Sequence, residues 1–429
     1  MSELEFDQKS DWVRETSATR NIIIGTGVLA LGSYLLLAIT SRQLSAHEYS
    51  LFAAFWSVVM GLILGATAPL ETFGLSTTTM NNNELQIDRQ FVSAVRIVLL
   101  AVLSVVFFVL PWFIPRVFDG HWSFLIATVL ALLGFTLTYS ARGVLVVEHR
   151  SRRYASLMSL ESLLRIGLAA TFIWLIGAGG SSVALAVSLA AIVVGLFSYR
   201  SIRNHISLNF LTNKHLNRSS ENFVPLLVAS LATLLLLNLG PFIVQYLSGA
   251  EAAAAGIFLN ALTLSRVPIM LGPVLQARLV PSISAILSRE EFPTLKKLIG
   301  NGMRLLIVGG LVFILGFALF GDSAINMLFG GTTSLNNLDL ALLAIPTFLY
   351  LLAIVFQSVL VALKQTRKIA KAWVMGLFAY LFSLLLPTTA ILKVEIAGVI
   401  AMSTVVVLLF YRLSTAMKSG LSSNTIKAE

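Results

Sequence analysis

Apolar runs of about 17–25 residues, the length an α-helix needs to cross a bilayer, follow one another along the whole of this chain. Twelve can be delimited, at approximately 21–41, 51–72, 91–114, 122–146, 154–176, 181–200, 222–248, 252–278, 302–321, 339–363, 369–392 and 394–416. Inside hydrocarbon every backbone N–H and C=O must be bonded within the protein, which leaves helices as the form such runs take. Composition agrees: 57% of the chain is hydrophobic and 12% charged, where a soluble domain carries about 25% charged residues. The expected fold is therefore an all-α integral membrane protein of about twelve transmembrane helices. The first run is too long for the apolar part of a signal peptide and follows a mixed-charge segment with Glu3, Glu5, Asp7, Asp11 and Glu15, so it is read as the first span.

The placement of charge fixes an orientation. With the amino terminus inside, 25 of the 30 lysines and arginines fall in inner segments and three, Arg42, Arg116 and Lys393, in outer ones. Arg142, Arg150, Arg152 and Arg153 are counted together at one inner turn, and Arg165 and Arg266 remain within the membrane. So lopsided a split would vanish if a span were missed or invented midway. Both termini are expected to be cytoplasmic. A formal net charge of +10 would point to nucleic acid in a soluble protein, but here it marks the inner membrane face, so nucleic acid is not an expected partner.

The longest inner connection, polar and basic, lies almost at mid-chain. It divides the sequence into a cytoplasmic segment 1–20, a six-helix bundle 21–200, a linker 201–221, a second bundle 222–416 and a tail 417–429. Short matches support a duplication. Val144-Leu145-Val146 before Arg152-Arg153 pairs with Val359-Leu360-Val361 before Arg367-Lys368, and Tyr49-Ser50-Leu51-Phe52 pairs with Ala255-Gly256-Ile257-Phe258, an offset of 206. Spans six apart with like orientation imply two bundles related by a pseudo-two-fold axis along the membrane normal. Helix-disrupting residues gather in spans seven and eight, at Pro225, Gly240-Pro241, Pro268 and Pro273, with Pro69, Pro346 and Pro387 elsewhere. Residues 283–298 read as an amphipathic segment on the inner surface, broken at Pro293.

Within the spans few residues ionise. Arg266 sits near the middle of its run, where a guanidinium costs roughly 2.5–3.5 kcal/mol on insertion scales. It must face a partner charge or a water-filled cavity, and the cavity reading makes it a contact for something negatively charged. Asn238, Gln245 and Asn260 in the same two spans are polar groups that either bind sugar hydroxyls or bond between helices. Glu71 follows Pro69 and either lines a vestibule or reaches water. Glu161 and Arg165, four apart on one helical face, form a candidate intramembrane ion pair.

Several chemistries lack their residues. There is no cysteine, hence no disulfide or thiolate metal site. No Gly-Lys dipeptide occurs, so no phosphate-binding loop, and the five histidines show no metal-ligand spacing. The expectation is a non-enzyme without metal or cofactor, energised by H+, Na+ or the membrane potential.

Arg42-Gln43-Leu44-Ser45 through Glu48-Tyr49-Ser50-Leu51-Phe52 after span one, Tyr154, Glu161 and Arg165 after the basic turn, Pro281, and Leu328-Phe329-Gly330 together carry a likeness. In these, and in span number and loop lengths, the chain resembles the Wzx-type polysaccharide biosynthesis flippases of the multidrug/oligosaccharidyl-lipid/polysaccharide exporter superfamily. The resemblance implies alternating-access movement of an undecaprenyl-diphosphate-linked oligosaccharide across the bacterial cytoplasmic membrane for surface polysaccharide assembly. It makes Arg266 a contact for the diphosphate, puts spans one, two, seven and eight around the cavity, and implies polysaccharide polymerase and glycosyltransferases as partners besides the bilayer. The rival readings are a cation-coupled multidrug or metabolite exporter and a membrane polysaccharide polymerase. The exporter calls for deep carboxylates in the first bundle, where only Glu71 and Glu161 offer themselves. The polymerase calls for a large outer loop that the sequence lacks.

Overall fold

A computed structural model of the chain describes residues 3–427, apart from 82–83, 88, 149, 178, 203–215, 250–252, 331–334 and 364. Between 273 and 291 only Leu275, Leu279, Ser282, Ile283, Ile286 and Arg289 are described. Residues 203–215 of the expected linker, Pro273, and residues 284–285, 287–288 and 290–291 of the expected amphipathic segment thus lie outside the described residues. The helices, in chain order, begin with α1 Glu3–Gln43, α2 Ala46–Phe73, α3 Gln90–Val117, α4 Ser123–Val147, α5 Ser151–Leu175 and α6 Gly180–Arg200. They continue with α7 Phe223–Asn238, α8 Gly240–Ser248, α9 Ala254–Ser265, α10 Lys297–Phe329, α11 Asn337–Ala362, α12 Thr366–Ser383 and α13 Ala390–Lys427. A two-stranded antiparallel hairpin, Thr78–Asn81 with Glu84–Ile87, follows α2.

Among the described residues nine helices are long and apolar enough to span, ten if the α7–α8 pair, bent by 54°, counts as one. The two other expected spans have local reasons to fall short. The helix of the eighth run stops at Ser265, where Arg266 and Pro268 turn the chain into a 3-10 segment, Val267–Met270. In α12, Arg367, Lys368 and Lys371 crowd the first turns, and the helix ends four residues before Pro387.

Chain contacts divide the protein into two compact units, Met1–Leu227 with Gly249–Gly256, and Val228–Ser248 with Ile257–Glu429. In the first unit α2 is the central element: 78% of its most apolar window is buried, so its side chains make core rather than lipid surface. Phe52 and Phe55 of this helix join Phe124 of α4, which stacks on Phe118 at 4.7 Å between ring centres. A close helix crossing joins α4 and α6. A Cβ at Gly134 would lie 2.4 Å from the Ala191 carbonyl carbon, and one at Gly195 would lie 2.8 Å from the Gly134 oxygen. Small residues let the two backbones touch, as membrane helices without a hydrophobic driving force between them require. Trp112, Trp122 and Trp174 are exposed at the adjoining ends of α3, α4 and α5, an aromatic girdle at one membrane interface.

The segment matched by the sequence repeat also makes a contact in this unit. Gly256 N–H donates to Ser50 Oγ at 3.0 Å, and these are the residues 206 apart that the repeat equates.

In the second unit α11, α12 and α13 pack on one another, and α8 lies against α13. The start of α8 is close-packed: a Cβ at Gly240 would lie 2.7 Å from the Phe258 ring of α9 and 3.3 Å from Val394 of α13. Pro241 follows within the first turn, where a helix N–H has no intrahelical acceptor to lose. The bend between α7 and α8 therefore has a local cause in Gly240-Pro241. By contrast only 6% of the apolar window of α10 is buried, so this helix presents its side chains to lipid.

Candidate functional sites

Buried charge gathers in two places, one in each unit. In the first unit the centre is Glu161 on α5, 2% exposed. Its Oε2 accepts from Arg142 of α4 at 2.9 Å, and its Oε1 accepts from Arg165, one turn further along α5. Arg165 also donates to Ser33 Oγ of α1 at 3.1 Å. Neither guanidinium Nε is hydrogen-bonded among the described residues. Aromatic faces stand beside the charges instead: Arg142 lies 4.7 Å from the Tyr139 ring centre and Arg165 5.5 Å from that of Trp56. Tyr154 Oη donates to Glu71 Oε1 at 2.7 Å, and Glu71 lies within electrostatic reach of Arg142. The network fastens α1, α2, α4 and α5.

This corrects one part of the charge reading. Arg142, assigned there to an inner turn, is 1% exposed within α4 and is the second partner of Glu161. No helical spacing betrays that contact, because it joins residues 19 apart on two helices. Glu71 is half-buried and bound to Tyr154, in the unit that does not contain Arg266.

The second site is a cavity with roughly 490 Å³ of space free of atoms, lined wholly by the second unit. Leu236 and Leu237 come from α7, Gly240 from α8, Phe258 and Leu262 from α9, Pro346 and Thr347 from α11, Tyr380 from α12, and Glu395 and Gly398 from α13. Arg266 completes the wall. It sits where α9 gives way to the 3-10 turn, half-buried, and donates to Asn238 Oδ1 at 3.2 Å. Asn238 ends α7, and its amide nitrogen donates back to Leu234 O at 2.9 Å, which turns its oxygen toward the guanidinium. Tyr380 lies within electrostatic reach of Arg266. Thus Arg266 and Asn238 come together through the helix break, whereas Asn260 and Gln245 are buried in α9 and α8 outside the cavity lining. Neither amide atom of Gln245 has a partner among the described residues. Spans seven and eight, named by the resemblance, line this cavity together with spans ten, eleven and twelve.

Glu395 was not among the residues singled out from the sequence. It directly follows Lys393-Val394 at the edge of an apolar run and reads there as a boundary residue. In the structure it is 1% exposed on the cavity wall, and neither carboxylate oxygen receives a hydrogen bond from a donor among the described residues. Among the described residues no group of three or more His, Cys, Asp or Glu could hold a metal ion.

Apolar spanning helices in two units, with ionisable groups held inside each, define a multi-pass membrane transporter. The chain belongs to the polysaccharide biosynthesis protein family, whose family model matches residues 18–287. It is 25% identical over 260 residues to the uncharacterised protein Mb3654 of Mycobacterium bovis, a match covering 57% of this chain and 58% of that protein. The chain thus aligns with little more than half the length of the curated relatives it matches. Its fold is similar to that of a multidrug resistance MATE family transporter of the MOP superfamily in an inward-facing conformation, with a TM-score of 0.66, 16% identity and coverage of 94% and 96% of the two chains. It is likewise similar to a point mutant of the Vibrio cholerae MATE transporter VcmN, with a TM-score of 0.59, 18% identity and coverage of 95% and 97%.

Proposed function

We propose that this protein flips an undecaprenyl-diphosphate-linked oligosaccharide across the bacterial cytoplasmic membrane, with Arg266 as a contact for the diphosphate. The observation that carries the reading is a guanidinium on a cavity wall within the spanning region, bonded to the neutral Asn238 at a break in the helices. A diphosphate cannot cross hydrocarbon unaided, and a planar guanidinium holds phosphate oxygens through paired donors. The start of α8 on the same wall adds the positive end of a helix dipole. Family membership supports polysaccharide assembly as the setting.

The test is the leaflet distribution of undecaprenyl-diphosphate-linked glycan in cells depleted of the protein. Complete repeat units should accumulate on the inner leaflet, and re-expression of the wild-type chain should clear them. Arg266→Ala should insert normally yet fail to clear them, while Arg266→Lys, which keeps the charge but loses the planar fork, should restore part of the flux. Normal clearance by the alanine variant would remove Arg266 from the substrate path. Unchanged lipid-linked glycan on depletion would move the assignment to small-molecule export, in keeping with the multidrug resistance transporter whose fold this chain shares. Complete units that reach the outer leaflet but fail to polymerise would point to a polymerase.

A further inference from the structure

We propose that Glu395 and Asp339 form a proton-binding carboxyl pair, loaded through Asp339 from the end of the second unit where α11 begins. Three observations carry this. Glu395 is 1% exposed, lines the cavity, and receives no hydrogen bond at either oxygen from a donor among the described residues. Holding an ionised carboxylate in that state is among the costliest arrangements within a membrane span, and a bound proton removes the cost. Secondly, Asp339 of α11 lies within electrostatic reach of it. Thirdly, Asp339 is the half-buried member of a capping box at the start of α11, where its Oδ2 accepts from the backbone N–H of the exposed Asn336 at 2.9 Å. Asp339 therefore stands between solvent and Glu395, and a proton can enter by one carboxyl and rest on the other.

The surroundings supply no cation dedicated to Glu395 among the described residues. On α13 itself the nearest charged residue is Lys393, half-buried two positions earlier. Of the elements packed on α13, α12 carries Tyr380 on the cavity wall and Arg367, Lys368 and Lys371 at its far end, and α11 carries Asp339 and Tyr350. The remaining one, α8, carries Tyr246, with the neutral, unbonded Gln245 beside it. Across the cavity stands Arg266, which donates to Asn238. A proton leaving Glu395 puts a negative charge into the cavity that holds Arg266, and that links proton loading to whatever anion the guanidinium binds.

The experiment is infrared difference spectroscopy of the full-length protein in lipid nanodiscs, stepped between acidic and alkaline buffer without added substrate. The wild type should show the carbonyl stretch of a protonated carboxylic acid that titrates reversibly. Glu395→Gln should abolish that band, and Asp339→Asn should displace its midpoint. A band unchanged in Glu395→Gln would overturn the proposal, as would one removed at constant pH by exchanging potassium for sodium, which marks a metal-cation site instead. If Glu395→Gln fails to fold, Glu395→Asp and Asp339→Asn decide, since a band untouched by both cannot belong to the pair. No glycan enters the measurement, so its result stands separately from the flipping assignment.

Discussion

Glu161 holds two guanidiniums at once, and that doubles what its removal should do. Breaking a buried ion pair by deleting one partner costs about 3–5 kcal/mol, chiefly because the other charge is left uncompensated. Glu161→Gln strands both Arg142 and Arg165, whereas Arg142→Met or Arg165→Met leaves the glutamate with one partner still bonded. The expected order of thermal stability in detergent is therefore wild type, then either methionine variant, then Glu161→Gln. A Glu161→Gln protein as stable as either arginine variant would deny the three-membered arrangement. From the sequence only the Glu161–Arg165 contact was legible, because four residues on one helix is a local regularity. Arg142 was not, since a cation near the end of an apolar run looks like an interfacial anchor until tertiary packing brings another helix alongside. Glu395 escaped for the same reason at the opposite edge of a run. The composition of a run's end does not say whether the end is wet.

At the scale of elements, run length made nearly every span legible, and Gly240-Pro241 marked the bend between α7 and α8. What the sequence could not show is which glycines carry close backbone contact, because that depends on which helices meet. Gly134 and Gly240 differ in a way that can be measured. A side chain at Gly134 meets the Ala191 backbone, which cannot step aside, so Gly134→Val should prevent the α4–α6 crossing and abolish folded protein in size-exclusion profiles. At Gly240 the nearest atom belongs to the far end of the Phe258 ring, which can turn. Gly240→Ala should therefore cost only about 1–3 kcal/mol, as overpacking usually does, and Phe258→Leu in the same chain should recover part of it. Equal damage from both glycine variants, or no recovery in the Gly240→Ala, Phe258→Leu double variant, would show that the α8 start is held by something other than ring contact.

For the whole molecule, the strongest inference from the sequence is orientation, and it rests on many weak charges acting together rather than on any one contact. Moving Arg142 from an inner turn to a buried pair removes one inner cation and leaves the asymmetry intact, so the prediction survives the correction. It can be checked directly, because the chain has no cysteine and any introduced thiol is unique. Asn337, exposed at the start of α11, is on the side assigned to the exterior; Arg152, exposed in the first turn of α5, is on the side assigned to the cytoplasm. In intact cells a membrane-impermeant maleimide should label Asn337→Cys and leave Arg152→Cys untouched until the membrane is permeabilised. Labelling in that sense would also decide the direction of the proposed proton loading, since it would put Asp339 at the outer face and make the external medium the source of the proton that reaches Glu395. Labelling in the opposite sense would invert the molecule, place Asp339 at the cytoplasmic face, and require the proton to be taken up from within.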